Sequence, residues 1–194
     1  MKIRILLVSV ALLALCVIPG FAQQKAGSPA DSRNPADFIV NHYAARSQFV
    51  AGAISRADLD TILQAGINAP SAMNRQPWHF TVVQTQALAK KMVNDIDEGS
   101  VLIIISAAKS DNSIVLDCGL ATESIYLAAQ ALGYGSRIYT GPINNINKNL
   151  KADLGLPRDY SAVALVRIGK VKAGVDAVSA ASKRSKVEDK VNFK

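Results

Sequence analysis

The sequence between residues 69 and 78 reads Ala69-Pro70-Ser71-Ala72-Met73-Asn74-Arg75-Gln76-Pro77-Trp78. Two prolines, two amides, a guanidinium and a tryptophan are an unusual content for a short connecting loop. A flat heterocycle needs hydrogen-bonding groups at its edge and apolar contact on its face, and Asn74 and Gln76 supply donors and acceptors alike. From the residues alone two interpretations stand: a loop that binds a heterocycle, or a rigid surface connection whose Trp78 fills the core.

The segments on either side of this loop carry clear secondary-structure signals. Before it, a serine and an aspartate have the spacing of a helix N-cap, and apolar residues at helical intervals predict a helix over residues 56–67. After it, a β-prone run predicts a strand over residues 80–83. Residues 101–105 are apolar at every position, which is typical of a strand covered on both faces. A helix over residues 87–97 is predicted between these two strands.

The second half of the chain continues this alternation of helix and strand. Apolar and small residues recur every three or four positions over residues 114–132, which predicts the longest and most buried helix, ended by a left-handed Gly133. The further predicted elements are a strand over 137–139, a turn at 140–142, a helix over 147–154 and a strand over 162–169. Helices alternate with about four strands, which predicts an α/β sandwich of helices around a sheet.

The N-terminus has the pattern of an export signal. Two basic residues precede an apolar run over residues 5–18, and small residues suit cleavage after Ala22, so residues 1–22 are interpreted as a signal peptide. A helix of the length of that run reaches about 21 Å, which is short of a bilayer core of about 30 Å. No stable membrane span is therefore expected after cleavage. The expected location is periplasmic, and a lipid anchor at Cys16 is the alternative.

The composition excludes several classes of protein. The net charge of +7 falls to +5 when two basic residues leave with the signal, and this surplus favours an anionic ligand. Aromatic residues make up only 6% of the chain, so no platform for nucleic acid is expected. The histidines are His42 and His79 alone and no Gly-x-Ser-x-Gly occurs, so neither a zinc site nor a serine hydrolase is expected. Cys118 is expected in a helix core.

The segment at residues 69–78 resembles the Ala-Pro-Ser-x-x-Asn-x-Gln-Pro-Trp signature of the nitroreductase family, in its expected place between a helix and a strand. The resemblance extends from about Asp37 to the C-terminus. It includes Arg46 with Ser47, the long alanine-rich helix, the Thr140-Gly141 turn and Arg184. Residues 37–194 are therefore interpreted as one FMN-binding domain, preceded by a flexible leader over residues 23–36.

The resemblance implies an α+β fold with a central, mostly antiparallel sheet of about four to five strands flanked by helices. It also implies an intertwined homodimer with one FMN at each end of the interface. From its composition alone, the polar tail over residues 170–194 is predicted to be a disordered basic tail. The resemblance implies that it would instead wrap around the partner subunit. The cofactor would take electrons from NAD(P)H or another reductant and pass them to a nitroaromatic, a quinone or a similar small acceptor.

The family pattern also assigns residues to the FMN. Those expected at the phosphate and ribityl chain are Arg46, Ser47 and Arg184. Those expected at the ring and ribityl chain from the other subunit are Pro70, Ser71, Ala72, Asn74 and Gln76. Backbone groups at the reactive edge of the ring are expected from Thr140 and Gly141. No side chain is expected to act as an acid or a base.

Two features depart from the family pattern, and the expected export raises a separate question about the electron donor. Members often carry Arg-Ser-x-Arg, whereas Gln48 and Phe49 follow the Arg-Ser pair here. The stretch between Asp97 and Val101 is short where larger relatives insert a helical lid. Export also removes the protein from the intracellular nicotinamide pool. A non-redox flavin-binding or flavin-modifying protein of the same fold therefore stands as the alternative function.

Overall fold

The computed structural model describes residues 35–108, 111–174 and 183–194. The expected signal peptide and the leader up to residue 34 lie outside the described residues. The first described element is the short helix α1 (Pro35–Val40), which has no buried residue. Among the described helices, none is long and apolar enough to cross a membrane.

Four strands form one antiparallel sheet, which confirms the expected α+β fold. They are β1 (Trp78–Val83), β2 (Val101–Ala107), β3 (Gly135–Tyr139) and β4 (Ser161–Gly169). Their spatial order is β1-β2-β4-β3, so β1 and β3 are the edges. Trp78 pairs with Ala107, which pairs with Ser161, and β3 ends on the same side. We call this side the Trp78 end of the sheet and the other side the Gly135 end.

Strand β2 divides the core into two layers by the alternation of its side chains. Ile103 and Ile105 belong to the cluster shared with helices α2 (Arg56–Ile67) and α4 (Asn112–Ala131). Leu102 and Ile104 belong to the cluster on the opposite face. All seven residues of β2 are buried, which confirms a strand covered on both faces.

The two predicted helices on the first face are confirmed nearly to their ends. Helix α2 starts at an N-cap serine, Ser55, whose hydroxyl accepts a hydrogen bond from Asp58 N–H at 3.1 Å. Helix α4 has 20 residues, and it is followed by Gly133 with φ of 82°. Cys118 is fully buried on α4, and burial together with the neighbouring Asp117 charge raises its thiol pKa to about 11.

Two predicted helices on the other face were placed wrongly. The helix expected over 87–97 is only α3 (Gln86–Lys90), followed by turns. In the turns beyond it, Gln86 donates to the Ile96 carbonyl at 2.7 Å and Arg167 donates to the Asp95 carbonyl at 3.2 Å. These two carbonyls therefore make side-chain contacts outside a helix.

The helix expected over 147–154 begins earlier and is irregular. It consists of α5 (Ile143–Asn145) and a π-helical turn (Ile146–Leu150), followed by turns up to Gly155. The Asn147 side chain accepts from Ala162 N–H at 2.7 Å and donates to the Ala162 carbonyl at 3.0 Å. The π turn therefore accompanies a side-chain contact that fastens this segment to the start of β4.

Candidate functional site

The loop before β1 is a tight polar turn. A 3-10 turn over Ala72–Asn74 follows Ser71, and the Ser71 hydroxyl oxygen accepts a hydrogen bond from Gln76 N–H at 3.0 Å. The Gln76 side-chain amide donates to Asn74 Oδ1 at 3.1 Å, which orients the two amides relative to each other. Pro70, Asn74 and Gln76 are exposed, so the loop presents its polar groups at the surface.

The backbone of this loop is strained. Met73, Asn74 and Gln76 have φ of 53°, 53° and 47°, in the left-handed region. That conformation costs a residue with a Cβ about 1–2 kcal/mol, although asparagine adopts it more readily because its short side chain bonds locally. Strain of this kind persists only where surrounding contacts enforce it, and it concentrates at ligand sites. The loop is therefore the strongest candidate for a binding surface in the described part of the chain.

Helix α4 supplies the contacts that hold the loop in this conformation. Asp117 Oδ1 accepts a hydrogen bond from Ala72 N–H at 3.0 Å, and Ser113 Oγ accepts one from the Arg75 guanidinium at 2.8 Å. Arg75 Nε also donates to the Ala72 carbonyl at 3.2 Å. Sequence reasoning missed both Ser113 and Asp117 as site residues. The available signal was an acid on the most buried helix, since a carboxylate there needs a polar partner.

An apolar cleft of about 460 Å³ lies next to the loop, between α2 and β1. The rings of Trp78 and Phe80 stack parallel inside it, with centroids 6.4 Å apart. Trp78 also packs against the α4 core, so it joins the cleft to the interior. The cleft is lined by Leu63, Ile67, Gln76, Trp78, His79, Phe80 and Val82.

Arg46 and Ser47 are exposed residues on a segment at the Gly135 end of the sheet. The residue before Arg46 donates its N–H to the Ser136 carbonyl at 3.0 Å, and the Gln48 carbonyl accepts from Lys172 N–H at 2.9 Å. Gln48 Oε1 accepts from Arg46 N–H at 2.6 Å. The segment is therefore fixed by main-chain bonds while its two predicted ligands face outward from the core.

Phe49 stands where the family pattern has its second arginine. Its side chain is buried and packs beneath the Arg167 guanidinium, with the guanidinium carbon 4.0 Å from the ring centroid. Arg167 is itself 1% exposed and donates to Asp97 Oδ2 at 2.5 Å. Arg167 is therefore a buried guanidinium paired with a partly exposed carboxylate, and it does not replace the missing arginine at the surface.

Arg184 is exposed on the C-terminal segment, within electrostatic range of Tyr126 on α4. Burial raises the pKa of the Tyr126 phenol, and the Arg184 charge acts in the opposite direction. One turn further along α4, the Gln130 amide donates to the Tyr43 carbonyl at 2.7 Å. Arg184 thus acts electrostatically on the same half of α4 that the segment leading into Arg46 contacts.

Thr140 and Gly141 follow β3 at the Trp78 end of the sheet, and both are exposed. The Thr140 carbonyl accepts a hydrogen bond from Ile143 N–H at 3.2 Å. Because β1 and β3 are opposite edges, three strand spacings separate this turn from the loop over 69–78, about 14 Å.

The structure divides the predicted site residues into two sets within one chain. The loop over 69–78 and the Thr140 turn lie at the Trp78 end, whereas Arg46, Ser47 and Arg184 do not join them. On α4, Asp117 contacts the loop over 69–78 and Gln130 contacts Tyr43, three residues before Arg46. At about 1.5 Å per residue these positions are about 20 Å apart along the helix. Across the described ranges, no cluster of His, Cys, Asp and Glu could hold a metal ion.

Comparison with known families defines the class of protein. The sequence profile described as "Nitroreductase family" matches residues 39–100 and 94–170, which is more than half of the chain. The chain therefore belongs to the nitroreductase family and is an oxidoreductase of that family.

Particular relatives agree with this assignment. A protein of Archaeoglobus fulgidus, provisionally named as an NADH dehydrogenase/NAD(P)H nitroreductase, is 39% identical over 129 residues, 60% of this chain and 74% of its own length. Two solved structures share the fold. A nitroreductase with bound FMN from Desulfitobacterium hafniense has a TM-score of 0.68 at 21% identity, covering 82% of this chain and 97% of its own. Another with bound FMN, from Bacteroides fragilis, has a TM-score of 0.68 at 20% identity, covering 84% and 100%.

Proposed function

We propose that the protein is an FMN-dependent oxidoreductase that passes electrons from a reduced donor to a small acceptor such as a nitroaromatic or a quinone. The main support for the proposal is the conformation of the loop over 69–78. The loop is strained and exposed, and contacts with α4 hold it in place. The names of the relatives, which refer to NAD(P)H nitroreductases and to bound FMN, support the same function.

The donor set of the loop fits the edge of a flavin ring. That edge alternates carbonyl acceptors with an N–H donor, and the exposed amides of Asn74 and Gln76 offer both kinds of group. Their mutual hydrogen bond fixes which atoms face outward. The residues that would hold the ring and the upper ribityl chain are Pro70, Ser71, Ala72, Asn74 and Gln76. Thr140 and Gly141 would offer backbone groups at the reactive edge.

The phosphate of FMN would be held by Arg46, Ser47 and Arg184. A guanidinium donates two parallel hydrogen bonds to a phosphate, and it keeps its charge at any pH that the protein meets. Arg46 and Arg184 are both exposed; the segment that leads into Arg46 contacts the half of α4 whose Tyr126 is within electrostatic range of Arg184. The buried Phe49 leaves this phosphate site with fewer cations than the usual family pattern.

A site shared between two subunits reconciles the two sets of residues. The contacts of the two sets are about 20 Å apart along α4, so a second copy that crosses α4 in the opposite direction brings the loop of one chain toward the arginines of the other. Helix α4 carries an apolar strip suited to such a contact, because Val115, Leu116 and Leu120 are 41%, 63% and 37% exposed. We therefore propose a homodimer with α4 at its centre.

The C-terminal tail is proposed to wrap around the partner. Residues 175–182 of the predicted tail lie outside the described residues. Beyond them, Val187 and Phe193 are 63% and 90% exposed on a segment without a buried residue. The edge strand β1 and the apolar cleft beside it offer unpaired backbone groups and apolar surface of the kind that such a segment covers.

In this scheme FMN, when bound, supplies the redox chemistry by accepting a hydride and releasing electrons to the second substrate. The protein binds the cofactor, orients its ring and surrounds its phosphate with positive charge. The ionisable side chain of the loop, Arg75, keeps its proton at any pH that the protein meets, so proton transfer would involve the substrate or solvent.

The predicted export bears on the electron donor. A periplasmic protein does not meet the intracellular pool of NADH and NADPH, so a different reductant would serve there. Non-redox use of the flavin, or its modification, is the alternative under the same condition.

Anaerobic absorbance spectra of the purified protein with FMN test the proposal. Bleaching of the bound flavin by NADH, NADPH or another reductant, and its recovery on addition of a quinone, is the expected result. Tight FMN binding without reoxidation by any nitroaromatic or quinone would exclude the oxidoreductase proposal and favour the non-redox alternative.

A further inference from the structure

Asp117 is a buried acid that uses only one of its two oxygens. Its side chain is 3% exposed on α4, and Oδ1 accepts the hydrogen bond from Ala72 N–H at 3.0 Å. Oδ2 is fully buried and has no hydrogen-bond donor among the described residues. The pKa of the neighbouring Cys118 thiol is raised first by burial and second by the charge of the Asp117 carboxylate.

Fold stability does not account for an acid at this position. A buried acceptor without a donor destabilises the fold, and an asparagine would accept the same Ala72 hydrogen bond without a buried charge. Residues that carry such a cost are found where the group has a second task. Here the carboxylate sits directly behind the loop proposed to hold the flavin ring.

We infer that Asp117 is a positioning residue that fixes the ring-binding loop through Ala72 and that its negative charge makes a bound flavin harder to reduce. The inference rests on the proposed function. Two-electron reduction at neutral pH leaves negative charge on the flavin ring, and a fixed carboxylate behind the loop repels it. The oxidised ring is neutral and lacks this repulsion.

Two substitutions separate the two roles. Asp117→Asn keeps an acceptor for Ala72 N–H and removes the charge, whereas Asp117→Ala removes both. A unit charge within about 10 Å at an effective dielectric constant of about 20 changes the ratio of affinities for reduced and oxidised FMN about tenfold. Asp60→Asn is the matched control, because Asp60 is an acid on α2 with half of its side chain exposed.

Hydrogen exchange of the Ala72 amide tests the positioning role without any cofactor. We expect this amide to be protected in the wild-type protein and in Asp117→Asn, and to exchange at least tenfold faster in Asp117→Ala. Unfolding midpoints of each variant separate a local effect from global destabilisation. Equal protection in all three proteins would overturn the positioning role, whether or not the protein binds FMN.

The midpoint potential of bound FMN tests the role of the charge. Asp117→Asn should shift the potential to a more positive value, equivalent to about tenfold tighter binding of the reduced form relative to the oxidised form. An equal shift in Asp60→Asn, or no shift in Asp117→Asn, would overturn the electrostatic role. Failure of the wild-type protein to bind FMN would instead refute the proposed function, while the exchange measurement still decides the positioning role.

Discussion

At the scale of the residue, the loop over 69–78 has side chains that suit the conformation of its backbone. Asn74 tolerates a left-handed conformation, and its Oδ1 accepts a hydrogen bond from the side-chain amide of Gln76. Ser71 closes the turn with a hydroxyl that a larger side chain would not place against Gln76 N–H. The amides are therefore held before any ligand arrives, which lowers the entropy that binding must overcome.

Arg184→Ala is predicted to weaken FMN binding about ten- to a hundredfold. A charged hydrogen bond lost to a phosphate is worth about 1.5–3 kcal/mol, which corresponds to that range. Quenching of FMN fluorescence measures the dissociation constant. Lys194→Ala, which removes a positive charge from an exposed position on the same segment, is the control. Equal dissociation constants for wild type and Arg184→Ala would remove Arg184 from the site.

Asp97→Ala is predicted to lower the free energy of unfolding by about 3 kcal/mol. The substitution leaves the buried Arg167 guanidinium without its carboxylate, and an unpaired buried charge is costly. Asp153→Ala removes a carboxylate from the surface pair with Lys91, where both side chains are about half exposed, and should cost at most about 1 kcal/mol. Urea unfolding compares the two variants, and similar losses would contradict the importance of burial.

At the scale of the element, the packing of α2 on α4 depends on a small residue. A Cβ at Gly66 would lie 2.7 Å from Ile125 Cγ1, and Ile125 is fully buried. Gly66→Ala is therefore predicted to destabilise the fold by about 1–3 kcal/mol through overpacking, despite the better helix propensity of alanine. Thermal unfolding measures this change.

Gly119→Ala on the open face of α4 should stabilise the isolated subunit, because nothing lies within 4 Å of the added methyl group.

The sequence predicted the elements whose signals are local. Helix α4 and strand β2 follow from uninterrupted patterns, and Gly133 marks the end of α4 by its own backbone preference. The turns after α3 and the π turn coincide with side-chain bonds of Gln86, Arg167 and Asn147 to residues that lie 10, 72 and 15 positions away in sequence. Such contacts leave no periodic trace, so pattern reading extended α3 too far and missed the start of α5.

The candidate site was predictable to a similar extent. The loop over 69–78 was identified by its composition and its resemblance to a family signature, and the structure gives it a strained, enforced backbone. Its anchors on α4, Ser113 and Asp117, lie about 40 residues away in sequence. Their role depends on the packing of two elements, which no motif in the loop encodes.

At the scale of the whole molecule, the proposed FMN site needs two chains. Leu116→Glu places a charge in the exposed apolar strip of α4 and is predicted to convert a dimer into monomers, because a desolvated charge opposes association. Sedimentation velocity measures the change. Ala87→Glu adds the same charge on α3, on the other face of the sheet, and should leave the dimer intact. A monomeric wild-type protein, or a dimer unaffected by Leu116→Glu, would contradict the α4 interface.

Binding of FMN to this chain underlies the proposed function, and titration of FMN fluorescence with the purified protein measures it. We expect quenching that saturates at one FMN for each chain, with a bound flavin spectrum that differs from that of free FMN. An unchanged fluorescence and spectrum at micromolar protein would contradict it.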